Sequence, residues 1–187
     1  MLNSIFTISD NEGLHKAMEK FKKERVFDYP IDDVVTFFME GDGTPYDLQE
    51  LENVTDWKVI KEKDVDGKRI GTKQWCAHAQ IPKALQHVVS PRMLTWYEHS
   101  IWDRSARLYK FKIEPFFLKK HVKCQGQTVF ESRGPNQCAR IFTIQLHVDI
   151  PIVGSMFEKL VMEHLKKNEE QDYNLSIKIV REKLGST

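Results

Sequence analysis

The chain ends in a long amphipathic helix that directly follows a run of strand-like segments, and this order limits the possible folds more than any other feature. Pro151 ends the last predicted strand, and Ser155 with Glu158 matches the S-x-x-E capping box that starts a helix. The helical pattern continues to about Lys183, and Gly185 is suited to end it. A helix of this length, roughly 40 Å, needs a broad apolar surface, which the concave side of a curved sheet provides.

Six of the strand-like segments form three predicted hairpins, because turn residues separate segments of alternating hydrophobicity. The turns lie at Asp66-Gly67, Arg104-Ser105 and Gly134-Pro135-Asn136. The predicted strands are 57–65 with 68–79, 93–103 with 106–118, and 121–132 with 138–150. Sequential strands with short turns indicate an antiparallel meander. In this register Trp96 lies opposite Ile113, Cys124 beside Leu146 and Cys138 beside Ser132.

A seventh strand and two short helices precede the hairpins. The strand covers 21–28, and the helices cover 31–40 and 45–53. We therefore predict an α+β fold in which a curved seven-stranded antiparallel sheet wraps around the C-terminal helix. Residues 20–187 form a single domain in this prediction, and residues 1–19 are an N-terminal extension.

Two charged residues lie in rows that are otherwise apolar. Glu98 falls on the apolar side of the second hairpin and Arg140 on that of the third. Glu98 could anchor a ligand head group or act as an acid with a raised pKa, or Arg140, Tyr109 or water could satisfy it. Arg140 could bind a carboxylate or phosphate, or extend its head group into solvent. His99 and His147 fall on the outer side and are expected at the surface.

The middle of the C-terminal helix is polar on the face that its ends make apolar. At 100° per residue, the following residues share one face: Phe157, Leu160, Val161, His164, Asn168, Gln171, Asp172, Leu175 and Ile179. A polar middle is expected where a helix lines a cavity that holds water or a ligand head group. Alternatively, the helix rotates or projects into solvent after Leu165.

These observations give a set of candidate ligand-binding residues, with polar groups that orient the ligand and apolar groups that enclose it. The candidates are Glu98, Arg140, His164, Asn168, Trp96, Tyr109, Phe111, Phe142 and Leu160. The segment Ile81–Val89 between two strands could be a lid or a portal that touches membranes, or a small helix packed on the sheet edge. We expect no catalytic set, metal or cofactor.

The element order resembles the START-like (SRPBCC, helix-grip) superfamily. The resemblance covers residues 21–183 and rests on the Tyr29-Pro30 break before IDDVV, the Asp66-Gly67 hairpin and the run VDIPIVGSMFEKLVMEHL. The IPIVG turn is most similar to an uncharacterised, mainly bacterial branch, and WYEHSIWD is weakly similar to PRELI-type lipid shuttles. Such domains hold a hydrophobic ligand between the sheet and the last helix, so the resemblance implies binding of a lipid or another apolar molecule.

Composition excludes few partners but disfavours nucleic acid, because 28 basic residues are balanced by 27 acidic ones. Three cysteines without a metal-ligand spacing, and an N-terminus without a signal peptide, predict a cytoplasmic protein. Three functions remain open: a carrier or sensor of a hydrophobic molecule, an enzyme of the cyclase, dehydratase or isomerase type, and a protein-interaction module with a solid core. The oligomeric state is not predicted.

Overall fold

The computed structural model describes residues 19–40, 54–77 and 95–185. The elements in these ranges are β1 (Glu19–Phe27), α1 (Ile31–Met39), β2 (Val54–Val65), β3 (Lys68–Ala77), β4 (Thr95–Asp103), β5 (Leu108–Pro115), β6 (Val122–Gly134), β7 (Gln137–Val148) and α2 (Gly154–Leu184). The predicted α+β class is confirmed. The predicted helix 45–53 and the Ile81–Val89 segment lie outside the described residues, as does the N-terminal extension apart from Glu19.

The seven strands form one curved antiparallel sheet in the order β1-β7-β6-β5-β4-β3-β2. Strands β2 to β7 are a meander, and β1 joins it by pairing with β7. The helix α2 lies against β1 and β7, so it covers one end of the sheet more closely than the other. No helix among the described residues is long and apolar enough to cross a membrane.

The predicted turns set most of the register. Asp66 and Gly67 both have positive φ, at 50° and 74°, as a two-residue type I′ hairpin requires. The β6–β7 pairing places Cys124 opposite Leu146, as predicted. The β4–β5 register was predicted incorrectly: Trp96 lies opposite Pro115. The turn occupies residues 104–107 instead of two residues, and a shift of two keeps every side chain on its predicted face.

The start of α2 differs from the predicted capping box. The helix begins at Gly154 after Val153, which offers no side-chain cap. Glu158 instead accepts a hydrogen bond from the backbone N–H of Val148, at 2.6 Å. The carboxylate therefore joins the first turn of the helix to the end of β7. The other end is as predicted, because Gly185 follows the helix with a φ of 85°.

Two apolar cores lie between the sheet and the helices. The α1 core is formed by Phe27, Tyr29, Ile31, Val34, Trp102, Phe130, Cys138 and Val180. The β7 core is formed by Phe111, Cys124, Ile144, Leu146, Val148 and Met162. The C-terminal half of α2 contributes to the first and the N-terminal half to the second, while Tyr109 packs against both.

Candidate functional site

The cross-strand register determines which side chains face α2. Residues directly opposite each other in an antiparallel pair lie on the same face. Glu98 lies opposite Ile113, Ile113 opposite Cys124, and Cys124 opposite Leu146. Because Cys124 and Leu146 belong to the β7 core, Glu98 belongs to the concave face of the sheet.

Glu98 forms a short hydrogen bond with a neighbouring phenol. The hydroxyl of Tyr109 donates to Oε1 of Glu98 at 2.5 Å. Burial raises the pKa of Glu98, whereas the bond from Tyr109 and the positive charge of Lys73 act in the opposite direction. Burial and the charge of Glu98 also raise the pKa of Tyr109 well above its usual value. The pair can therefore hold a proton inside the protein and donate or accept a hydrogen bond there.

A cavity of about 180 Å³ opens beside this pair on the concave face. Its lining residues come from α1 and from four strands: Phe38, Met39, Val59, Glu62, Arg69, Gly71, Lys73, Ser100, Trp102 and Tyr109. Gly71 helps to keep the cavity open, because a Cβ there would lie 3.3 Å from Oγ of Ser100. Two cations, one carboxylate and two hydroxyl groups surround the space, and Arg69 is already paired with Glu40 and Glu62, so the cavity suits a polar group.

Aromatic rings continue the concave face from the cavity towards β7. Phe111 stacks on Phe142 with 6.1 Å between ring centroids, and Tyr109 lies 6.0 Å from Phe111. The Phe111 ring covers Gly126, where a Cβ would approach its Cζ to 2.4 Å. Glycine is thus required at position 126, and the predicted residues Tyr109, Phe111 and Phe142 form one continuous aromatic wall.

Arg140 is buried and paired with the helix, which corrects the alternative that its head group extends into solvent. Its Nη2 donates to Oδ2 of Asp172 at 2.6 Å, and its guanidinium lies over the ring of Phe38 at 4.9 Å. Burial lowers the pKa of Arg140 to about 10, so the group remains charged at neutral pH. Burial also raises the pKa of Asp172 to about 7, while the contact with Arg140 favours the ionised form.

A second charged pair joins the sheet to the helix, and sequence reasoning missed it. Arg25 donates two hydrogen bonds to Glu169, at 3.0 and 2.8 Å, and a further one to Glu170. Its guanidinium lies 4.4 Å from the ring centre of Tyr173. The available signal was the inward parity of Arg25 in β1, two residues before the buried Phe27. Glu98 takes part in neither of these two pairs.

The helix face buried against the sheet is displaced by about one residue, roughly 100°, from the predicted face. The most buried residues of α2 are Gly154, Glu158, Met162, Glu169, Ser176 and Val180. The predicted residues Leu160, His164 and Asn168 are half-buried but lie outside this face, with Leu160 on the opposite side of the helix. A polar middle between apolar ends is present, but Glu169 and Asp172 make its contacts with the sheet.

The remaining residues singled out from the sequence are Trp96 and His99 on β4, and His147 on β7. Trp96 is directly opposite Trp75, which is opposite Trp57, and the last two rings stack at 5.8 Å. His99 is on the outer face as predicted, beside Thr72. His147 is more covered than predicted, because its Nδ1 lies 3.1 Å from Oε1 of Glu158 on α2.

Cysteine chemistry is suppressed at the two buried thiols. Burial raises the pKa of Cys124 to about 12 and that of Cys138 to about 11. Both thiols are therefore protonated and unreactive at neutral pH. Across residues 19–40, 54–77 and 95–185, no three His, Cys, Asp or Glu side chains are grouped as metal ligands would be.

Comparison with known families assigns the chain. A family model described as a protein of unknown function, DUF2505, matches residues 22–176. The chain belongs to the DUF2505 family. No curated protein sequence matches it.

Solved structures show that this DUF2505 protein has the START-like fold. The Zhui aromatase/cyclase from Streptomyces sp. R1128 is 10% identical, with a TM-score of 0.64, covering 91% of this chain and 98% of its own. Norcoclaurine synthase from Thalictrum flavum, solved with dopamine and hydroxybenzaldehyde, is 17% identical, with a TM-score of 0.60, covering 87% and 88%. A START superfamily protein from Mycobacterium smegmatis is 12% identical, with a TM-score of 0.57, covering 87% and 99%.

Proposed function

We propose that this DUF2505 protein binds a hydrophobic small molecule or lipid between the concave face of its sheet and α2, as a carrier or sensor. The observation that carries the proposal is the hydrogen-bonded pair of Glu98 and Tyr109, both half-buried, beside a cavity on that face. Burial raises the pKa of Glu98 even though Lys73 lies opposite it on β3, and groups whose pKa is shifted in this way are concentrated at functional sites.

The arrangement supplies both parts of such a binding site. Apolar rings at Trp96, Phe111 and Phe142 would contribute about 25 cal/mol per Å² of ligand surface buried. Glu98 and Tyr109 would orient the polar end of the ligand by hydrogen bonds. The predicted residues Leu160, His164 and Asn168 lie outside the face of α2 that packs on the sheet, so a role for them in binding needs α2 to turn when the ligand enters. Arg140 would act indirectly, because its guanidinium is paired with Asp172.

Norcoclaurine synthase, which shares the fold, was solved with dopamine and hydroxybenzaldehyde, and the Zhui protein is an aromatase/cyclase. These names support a ligand with a ring or a chain and at least one polar group. We propose that the protein acts in the cytoplasm, where its three cysteines would stay reduced.

Native mass spectrometry of freshly purified protein tests the proposal. We expect a mass above that of the chain, which denaturation returns to the chain mass while releasing an extractable organic molecule. Substituting Phe111→Ser should reduce the bound fraction, whereas Lys58→Ser, an exposed change on β2, should leave it unchanged. A chain that is empty after expression and that binds neither fatty acids nor aromatic acids in titrations would contradict the proposal.

The short bond between Glu98 and Tyr109 also favours a second function, acid–base catalysis of the cyclase, dehydratase or isomerase type. A carboxyl group whose pKa is raised by burial holds its proton to a higher pH than an exposed one, as a general acid must. Glu98→Gln keeps the shape and a hydrogen-bonding group but cannot transfer a proton. If the wild type converts the extracted ligand, and Glu98→Gln binds it equally well but does not convert it, the protein is an enzyme. If both proteins yield the same amount of ligand and neither converts it, the protein is a carrier.

A further inference from the structure

Two turns at one end of the sheet expose large apolar side chains. Phe116 and Phe117, in the turn between β5 and β6, are 41% and 49% exposed. Ile152 in the turn between β7 and α2 is 100% exposed, and Met156 in the first turn of α2 is 47% exposed. Single exposed apolar residues are common, but four in adjacent turns are typical of a surface that binds a partner.

The two turns are held next to each other. Val122 lies opposite Val148, so β6 begins where β7 ends. The backbone N–H of Asp149 donates to the carbonyl of His121 at 2.7 Å, and Nδ1 of His121 lies 2.8 Å from the carbonyl of Asp149. We call the surface formed by residues 116–121 and 150–156 the apolar rim.

The backbone of the rim holds its apolar side chains outward. Ile152 has a φ of 71°, in the left-handed region that a β-branched residue seldom adopts. Leu118 has a φ of 57° in the facing turn. This backbone conformation costs energy and leaves the Ile152 side chain in water. Such strain is retained more readily where exposure of the side chain serves a function.

The charges around the rim indicate which partner it fits. Lys119, Lys120, Lys123 and Lys159 are exposed there, and the carboxylates nearby are Glu114 and Asp149. Aromatic and aliphatic tips among lysines match the boundary of a bilayer, where apolar groups enter the acyl region and ammonium groups contact anionic head groups.

We propose that the apolar rim docks the protein on anionic phospholipid membranes, with Phe117 and Ile152 inserted below the head groups. The rim is formed by residues other than Ile81–Val89, the segment considered from the sequence alone, which lies outside the described residues. The proposal goes beyond ligand binding, because docking depends on the outside of the protein and not on the contents of the cavity.

Vesicle co-sedimentation tests the proposal, with phosphatidylcholine vesicles alone and with about one-third phosphatidylserine. We expect binding to the mixed vesicles that falls by at least about tenfold in Phe117→Ser/Ile152→Ser, since each change removes a large apolar side chain from the interface. The matched control is Val26→Ser/Leu184→Ser, two residues 41% and 42% exposed at the other end of the molecule, which should bind like the wild type. Lys119→Gln/Lys120→Gln should weaken binding to the mixed vesicles and reduce the dependence of that binding on salt concentration.

The outcomes separate this proposal from the proposed function. Equal vesicle binding by the rim variant and the control would overturn docking through the rim. Docking would also be overturned if the wild type binds no vesicles and is dimeric in solution while the rim variant is monomeric. That result would show that the rim is a self-association surface. Native mass spectrometry of the rim variant tests ligand binding in the cavity independently of membrane docking. If the rim variant still carries a bound ligand, the proposed function holds whatever the vesicle experiment shows.

Discussion

Carboxylates lie on the inner side of the sheet in two regions, buried or half-buried, and the two regions satisfy them differently. Between the sheet and α2, Glu169 and Asp172 receive guanidinium groups from Arg25 and Arg140. On the sheet alone, Glu98 receives a neutral hydroxyl from Tyr109. The ion pairs hold the sheet and α2 together. The pair of Glu98 and Tyr109 instead has a proton and a hydrogen bond that it can exchange with a ligand.

The difference separates structural charges from candidate functional ones. A guanidinium that is already paired with a carboxylate and packed on an aromatic ring gains little by turning to a ligand. A carboxyl group paired with a phenol can ionise, or exchange its partner for a ligand, at a lower cost. The predictions below test this contrast, beginning with the largest expected effect.

Arg140→Met should lower the free energy of unfolding by about 3 kcal/mol, because Asp172 then lies in the interior without its guanidinium partner. Chemical denaturation measures the change. Arg140→Met/Asp172→Leu should recover much of the loss, since it removes both charges. If the single substitution instead abolishes ligand binding in a protein of unchanged stability, Arg140 belongs with Glu98 as a functional charge.

Tyr109→Phe should cost about 1–2 kcal/mol, because the buried carboxyl group of Glu98 loses its donor. The same change should raise the pKa of Glu98 further, since the bond from Tyr109 lowers it. Denaturation and carboxyl-carbon NMR titration measure the two effects. Tyr97→Phe, on the outer face of β4, is the matched control and should change neither quantity.

Glu98→Gln should change how stability depends on pH. Because the pKa of Glu98 is raised in the folded state, the folded protein holds this proton at pH values where the unfolded chain releases it. The contribution of Glu98 to stability is therefore complete below its unfolded pKa, near 4.5, and is lost as the pH rises through the folded value. Denaturation across this range should show a decline in the wild type that Glu98→Gln lacks.

The matched control for the pH series is Glu114→Gln, on the outer face of the neighbouring strand. Its stability should follow the wild-type pH profile. A Glu98→Gln profile that coincides with both would show that Glu98 titrates as it does in water, and the contrast between the two regions would then be wrong.

The smallest effect is expected at the surface. Lys68 and Asp103 form an ion pair at 2.8 Å, but the Lys68 side chain is half exposed. Lys68→Met should change the unfolding free energy by less than about 1 kcal/mol. Comparing the loss of unfolding free energy in Lys68→Met with that in Arg140→Met shows how much of the Arg140 effect comes from burial of the charge and how much from charge pairing alone.

Much of the fold could be predicted because its causes are local. Alternation along each strand and the turn residues, such as Asp66-Gly67, determine faces and hairpins within a few residues. The inward position of Glu98 follows from this parity, as does the inward position of Arg140. Even where the turn at 104–107 was longer than predicted, the shift of two residues left the parity intact.

The amino-acid sequence by itself determined the curved antiparallel sheet, its turns and the two charged residues on its inner face. Only the tertiary structure decided the partners of those charges, the rotation of α2 and the closeness of the two exposed turns. The physical reason is that one residue turns a helix by 100°, so a small adjustment in packing selects Glu169 over His164 and Asn168. Long side chains then reach whichever partner the packing brings near, and no local pattern records that choice.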